Sequence, residues 1–125
     1  MKKFLVAYYE TADGVCPAED FIKGQDIKMR AKIYRMLELL EERGNTLRMP
    51  YSEHLEDGIF EVRTQVGSHI ARILYFFFVG RKIILTNGFM KKTQKTLPDI
   101  IEMAKKYRED YIKHIGSEET DEELS

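Results

Sequence analysis

Two periods of hydrophobic patterning divide this chain, and they meet near residue 59. Lys3 to Tyr9 is an apolar run ended by Asp13-Gly14 and predicts a first strand. Pro17 to Lys23 predicts a short helix, with Pro at its start, Glu19 and Asp20 in its first turn and Gly24 behind it. Asp26 to Arg43 predicts a longer helix, because Met29, Ile33, Met36, Leu37 and Leu40 recur at helical spacing and Gly44 stops them. Asn45 to Gly58 reads as a polar loop carrying Pro50, Tyr51 and His54.

From there the period is two. Ile59 to Val66, His69 to Val79 and Lys82 to Met90 are rich in β-branched and aromatic residues. Gly67-Ser68 and Gly80-Arg81 separate them, and Gly followed by one residue is the signature of a two-residue type II′ hairpin. The central segment is apolar on both faces, so both are expected to be covered. Thr96 to Ile115 predicts a last helix, capped by Thr96, with Asp99 at the capping-box position and a stripe of Ile100, Ala104, Tyr107, Tyr111 and Ile115. The fold class is therefore α+β: a small, twisted, mainly antiparallel sheet in the order β-α-α-β-β-β-α, flanked by helices.

At 125 residues the chain fits one domain, residues 1–116, with the acidic segment 117–125 expected as a disordered tail. The single cysteine, Cys16, excludes a disulfide framework and points to a reducing compartment. Cys16 and three scattered histidines cannot form a standard zinc cluster. The longest apolar stretch, Ile73 to Val79, is far short of the ~20 residues of a membrane helix. The apolar run after Met1-Lys2-Lys3 is too short for a signal peptide. With no P-loop, GxGxxG, GxSxG or paired carboxylates, the expectation is a cytoplasmic protein without metal or cofactor.

Charge changes the picture through its distribution. The formal net charge is -1, yet the last nine residues hold five acids and no base. From Val62 to Pro98 there is no acid at all, while Arg63, Arg72, Arg81, Lys82, Lys91, Lys92 and Lys95 supply seven positive charges. Such a block is either the footprint of a polyanion ligand or a solvated basic face balanced elsewhere.

Hairpin register sharpens this. A two-residue turn at Gly67-Ser68 pairs Arg63 with Arg72, and one at Gly80-Arg81 pairs Arg72 with Phe89. Lys91 then lies diagonally from Arg72 on the same face; a bulge would put Lys92 there instead. Like charges directly opposite are destabilising, by about 3 kcal/mol at ~5 Å before screening. A fold accepts that most readily where an anion will sit. Alternatively, an arginine pairs with a helix carboxylate such as Glu38 or Glu42, or Glu61 takes Arg63 from a neighbouring position. His54 could titrate near neutrality, and Tyr51 and Tyr75 could stack on a base.

The run Gly58-Ile-Phe-Glu-Val-Arg63, then Arg72-Ile-Leu-Tyr-Phe, then Gly88-Phe-Met-Lys-Lys-Thr-Gln-Lys-Thr96, then Ala104, resembles the HigB branch of the RelE/ParE toxin superfamily. The segment Tyr8-Tyr9-Glu-Thr, with Gly14 and Pro17, fits it too. The FxKKTxKT stretch is the most specific part, and the likeness covers about residues 3 to 115.

The resemblance implies the toxin half of a type II toxin–antitoxin system: a ribosome-dependent mRNA endoribonuclease that needs no metal. It implies a helix-turn-helix antitoxin as partner, with operator DNA reached only through that antitoxin. In its chemistry the RNA 2′-OH attacks the adjacent phosphate. Arg63 and Arg72 would hold phosphate oxygens, Lys91 would neutralise charge or protonate the leaving group, and His54 would serve as base. Lys92, Lys95, Tyr51, Arg81 and Lys82 would bind RNA. A ParE-like gyrase-targeting toxin and a non-catalytic, phage-derived binding module stand as alternatives on the same fold.

Overall fold

The hairpin segments pair as a meander, and the N-terminal strand joins them in parallel. The computed structural model describes residues 3–90 and 95–124. In chain order the elements are β1 (Leu5–Tyr8), α1 (Pro17–Lys23), α2 (Ile27–Arg43), a 3-10 turn (Gly44–Thr46), β2 (Ser52–Glu56), β3 (Ile59–Val66), β4 (His69–Phe78), β5 (Lys82–Met90) and α3 (Pro98–Leu124). The sheet has five strands in the order β1-β5-β4-β3-β2, with β1 parallel to β5 and the other pairs antiparallel.

Helices cover both faces, as the doubly apolar β4 requires. On one face Ala18 and Ile22 of α1 and Met29, Ile33, Leu37 and Leu40 of α2 pack against Val62, Ile73, Tyr75, Ile83 and Leu85. On the other, Ile101 and Ala104 of α3 pack against Tyr9, Ile59, Leu74, Phe76 and Ile84. Each fully buried aliphatic side chain contributes roughly 1.5–3 kcal/mol. Asp26 caps α2, its side chain accepting from the Met29 N–H at 2.9 Å, and Gly44 ends it at φ 52° against the Phe4 ring. The buried Glu41 carboxylate accepts the Val6 N–H at 2.9 Å, closing the outer edge of β1.

Four expectations change. The segment 45–58 is not all loop: Ser52 to Glu56 forms the edge strand β2, joined to β3 by Asp57 and Gly58 at φ 50° and 77°. Positive φ at both positions is a type I′ turn, for which Asp-Gly is the strongest short signal. Second, the β4–β5 connection is Val79-Gly80-Arg81 rather than Gly80-Arg81, because Phe78 pairs with Lys82. A bulge at Thr86 then restores the offset, so Arg72 faces Phe89 as predicted, by two compensating departures.

Third, Thr96 does not cap α3. Leu97 precedes the helix and its carbonyl takes the Ile100 and Ile101 N–H groups, while Pro98 occupies the first helical position. Finally, α3 begins two residues later than expected and its backbone continues past Ile115 to Leu124, through most of the acidic segment expected as a tail. No glycine-proline stop follows Gly116, and glutamate is a good helix former.

Tyr75 marks the centre of the α1–α2 side. Its hydroxyl lies 2.5 Å from Ser52 Oγ, and burial pushes the phenol up to about 12. The ring stacks on Phe60, 5.5 Å between centroids.

Candidate anion-binding site

The pairing of β3 with β4 sets Arg63 directly opposite Arg72, as the two-residue turn at Gly67-Ser68 requires. Both stand on the α3 face, since Arg72 alternates with Leu74 and Phe76. Glu61 precedes Arg63 by two positions and shares that face, and β2 places Glu53 directly opposite Glu61. Strand alternation and two registers therefore gather two arginines and two glutamates in one patch.

The contacts form a chain. Glu61 Oε2 lies 2.7 Å from Arg63 Nε and 2.8 Å from Arg72 Nη1. Arg63 Nη2 pairs with the Glu53 carboxylate, and Nη1 lies 3.1 Å from Met49 Sδ. Thr96 completes the arrangement: its hydroxyl donates to Glu61 Oε1 and accepts from Arg72 Nη1 at 2.9 Å. The threonine read as a helix cap thus pins the start of α3 to the sheet.

The repulsion expected between the arginines is offset by Glu61, which lies one residue outside the acid-free window. Glu38 and Glu42 are exposed on α2, on the other side of the sheet. Formal charge over Arg63, Arg72, Glu53 and Glu61 is zero, so the cross-strand arginine pair is neutralised by its own neighbours.

Two cavities flank the cluster. One of about 280 Å³ is bordered by Glu53, His54, Leu55, Arg72, Lys95, Thr96 and Ile101. The other, about 340 Å³, is bordered by Lys32, Met36, Pro50, Tyr51, Arg63, Gln65 and Ile70. Lys95 and the exposed Tyr51 therefore reach the site from opposite sides.

His54 borders the first cavity, but its register partner is Phe60, which places its side chain on the opposite face from the arginines. Its ring packs edge-on to Phe60 at 4.9 Å, and Nε2 accepts the Gly58 N–H at 3.1 Å. Arg81 and Lys82 are not brought to the site: they sit where β4 turns into β5, six strand positions from Arg72, roughly 20 Å away at strand rise. Lys91 and Lys92 lie outside the described residues.

Among the described residues, no group of three or more His, Cys, Asp or Glu could hold a metal ion. No helix among them is long and apolar enough to cross a membrane. In the sequence Glu61 stands out only as a competitor for Arg63, while Glu53 and the sheet contacts of Thr96 carry no mark of their own. The available signal was the Glu-x-Arg spacing on a strand, which puts opposite charges on one face.

The family model described as phage-derived protein Gp49-like (DUF891) matches residues 20–109, a span that contains the whole cluster from Glu53 to Thr96. No curated protein matches the chain. With most of its length covered, the chain belongs to the Gp49-like family, which groups with toxins of the RelE/HigB type.

Proposed function

We propose that this protein is the toxin of a type II toxin–antitoxin system and acts as an endoribonuclease on ribosome-bound mRNA. The observation that carries the reading is the Arg63–Arg72 cross-strand pair, each arginine bordering one of two flanking cavities, Arg72 with Lys95 and Arg63 with Tyr51. Family membership is consistent with a toxin–antitoxin toxin.

Cleavage by the RNA itself needs three services. A base takes the 2′ proton, cations receive the charge that grows on the phosphate, and a donor protonates the leaving 5′ oxygen. The products are a 2′,3′-cyclic phosphate and a 5′-OH. Arg63, the more exposed arginine, contacts the phosphate oxygens. Arg72 is a positioning residue: with Thr96 it fixes the Glu61 carboxylate that orients Arg63. His54, held on the other face of the sheet by Phe60 and the Gly58 N–H, is not placed to take the 2′ proton, which passes to water; Lys91 serves as donor, with Lys92 binding the RNA backbone. The partner is a helix-turn-helix antitoxin.

Satisfaction of both arginines by glutamates favours one other reading, a phage-derived module that binds a protein without cutting RNA. Inducible expression in a bacterial host separates the two. The toxin reading expects growth arrest with loss of intact mRNA, reversed by co-expression of the antitoxin. Normal growth at verified soluble expression contradicts it.

A further inference from the structure

We propose that Glu53 is a displaceable carboxylate that occupies the anion position on Arg63 and must leave before a phosphodiester can enter. This rests on the reading of Arg63 as the phosphate contact, with Arg72 positioning it through Glu61. The cluster's side chains differ sharply in exposure: Glu61 is 0% exposed, Arg72 2%, Arg63 17% and Glu53 43%. Glu61 is locked by two arginines and a threonine at the sheet's buried face. Among the described residues Glu53 pairs with Arg63; it sits on the edge strand and regains water as soon as it swings out.

Register explains why it is there. Glu53 and Glu61 stand directly opposite each other across β2 and β3. Two carboxylates so placed repel unless a cation stands between them. Arg63 does so, giving Nε to Glu61 and Nη2 to Glu53. When Glu53 leaves, Glu61 still holds Nε and fixes the guanidinium plane. Nη2 is released beside Nη1, whose partner at 3.1 Å is only the weak acceptor Met49 Sδ. Those two nitrogens are the end-on fork that takes two oxygens of one phosphate. Glu53 borders one flanking cavity and Arg63 the other, so the exchange opens the boundary between them.

The device sets a threshold. An anion gains Arg63 only by outcompeting a tethered carboxylate, so a phosphate held by neighbouring nucleotides succeeds where a dilute free anion binds weakly.

The test titrates inorganic phosphate into the full chain and into Glu53→Gln, following the heat of binding and the Arg63 Nε–Hε resonance. Glu53→Gln is expected to bind phosphate roughly tenfold more tightly, as loss of a competing charge allows. Glu56→Gln removes the same charge from the same strand, at Lys105, and is expected to change affinity less than about twofold. Adding Arg63→Ala to Glu53→Gln is expected to cancel the gain.

Equal affinity in wild type and Glu53→Gln overturns the gate and leaves the phosphate site standing. A gain matched by Glu56→Gln, or one surviving loss of Arg63, is a general charge effect and overturns it too. Absence of phosphate binding in every variant removes the site itself and the gate with it. If Glu53→Gln loosens the edge strand, Glu53→Asp keeps the charge but withdraws it by one methylene. It is expected to gain affinity in the same direction, and no gain there counts against the proposal.

Discussion

Arg72 and Glu61 form a buried ion pair, Nη1 to Oε2 at 2.8 Å, with side chains 2% and 0% exposed. This contact reverses what the sequence expects of Arg72. Facing Arg63 alone, it is a source of repulsion whose removal is harmless. Backed by Glu61, its removal strands part of a buried carboxylate. Arg72→Ala is therefore expected to lose about 3–5 kcal/mol of stability. Urea denaturation checks this, and wild-type stability for Arg72→Ala contradicts it.

Arg63 should behave differently. It is the more exposed partner, and Glu61 keeps Arg72 and Thr96 without it. Arg63→Ala is expected to cost only about 1 kcal/mol of stability but ~10²–10³ in single-turnover cleavage. Matching losses of stability at the two arginines would erase the division between contact and positioning.

Thr96 joins α3 to the sheet through two hydrogen bonds in opposite directions. Thr96→Val keeps the shape and removes both, so it is expected to destabilise by about 1–3 kcal/mol, and Thr96→Ser to restore most of the loss. Thermal melts of the two variants decide the point. A neutral valine would return Thr96 to the role of a simple loop residue.

Tyr75 gives a pH signature. Its folded phenol is pushed up to about 12 by burial, from an ordinary 10.0. Below pH 10 both folded and unfolded phenols are protonated, so the contribution is flat. Above it the unfolded state loses its proton first, and stability falls until about pH 12. The expected loss over that window is about 2–3 kcal/mol, absent in Tyr75→Phe. Denaturation of both proteins at pH 9, 10 and 11 reads the difference; parallel curves exclude the effect.

The sheet's centre was legible because β-branched runs and Gly67-Ser68 fix a register unaided, and Val66↔His69 follows from them. The β5 register was right for a subtler reason. A three-residue loop and the bulge at Thr86 cancel, and neither leaves a clear mark among similar apolar residues. β2 was hidden because its five residues, Ser52 to Glu56, are mostly polar, as an edge strand tolerates. Its Asp57-Gly58 turn was the readable sign. At the site, the arginine pair could be derived from register. Its neutralisation could not be read from an acid-free window, since Glu53 and Glu61 reach it through space from just outside that window. Exposure, which separates Arg63 from Arg72, depends on where α3 lands, and Thr96 reads like a cap until its partners are known.

Endoribonuclease action is tested most directly by single-turnover cleavage of ribosome-bound mRNA by the purified full chain, with the product ends identified chemically. The expected result is 2′,3′-cyclic phosphate and 5′-OH ends, a rate reduced ~10²–10³ by Arg63→Ala, and a folded Arg63→Ala protein by circular dichroism. Intact mRNA at saturating ribosome, or cleavage unchanged in Arg63→Ala, contradicts it.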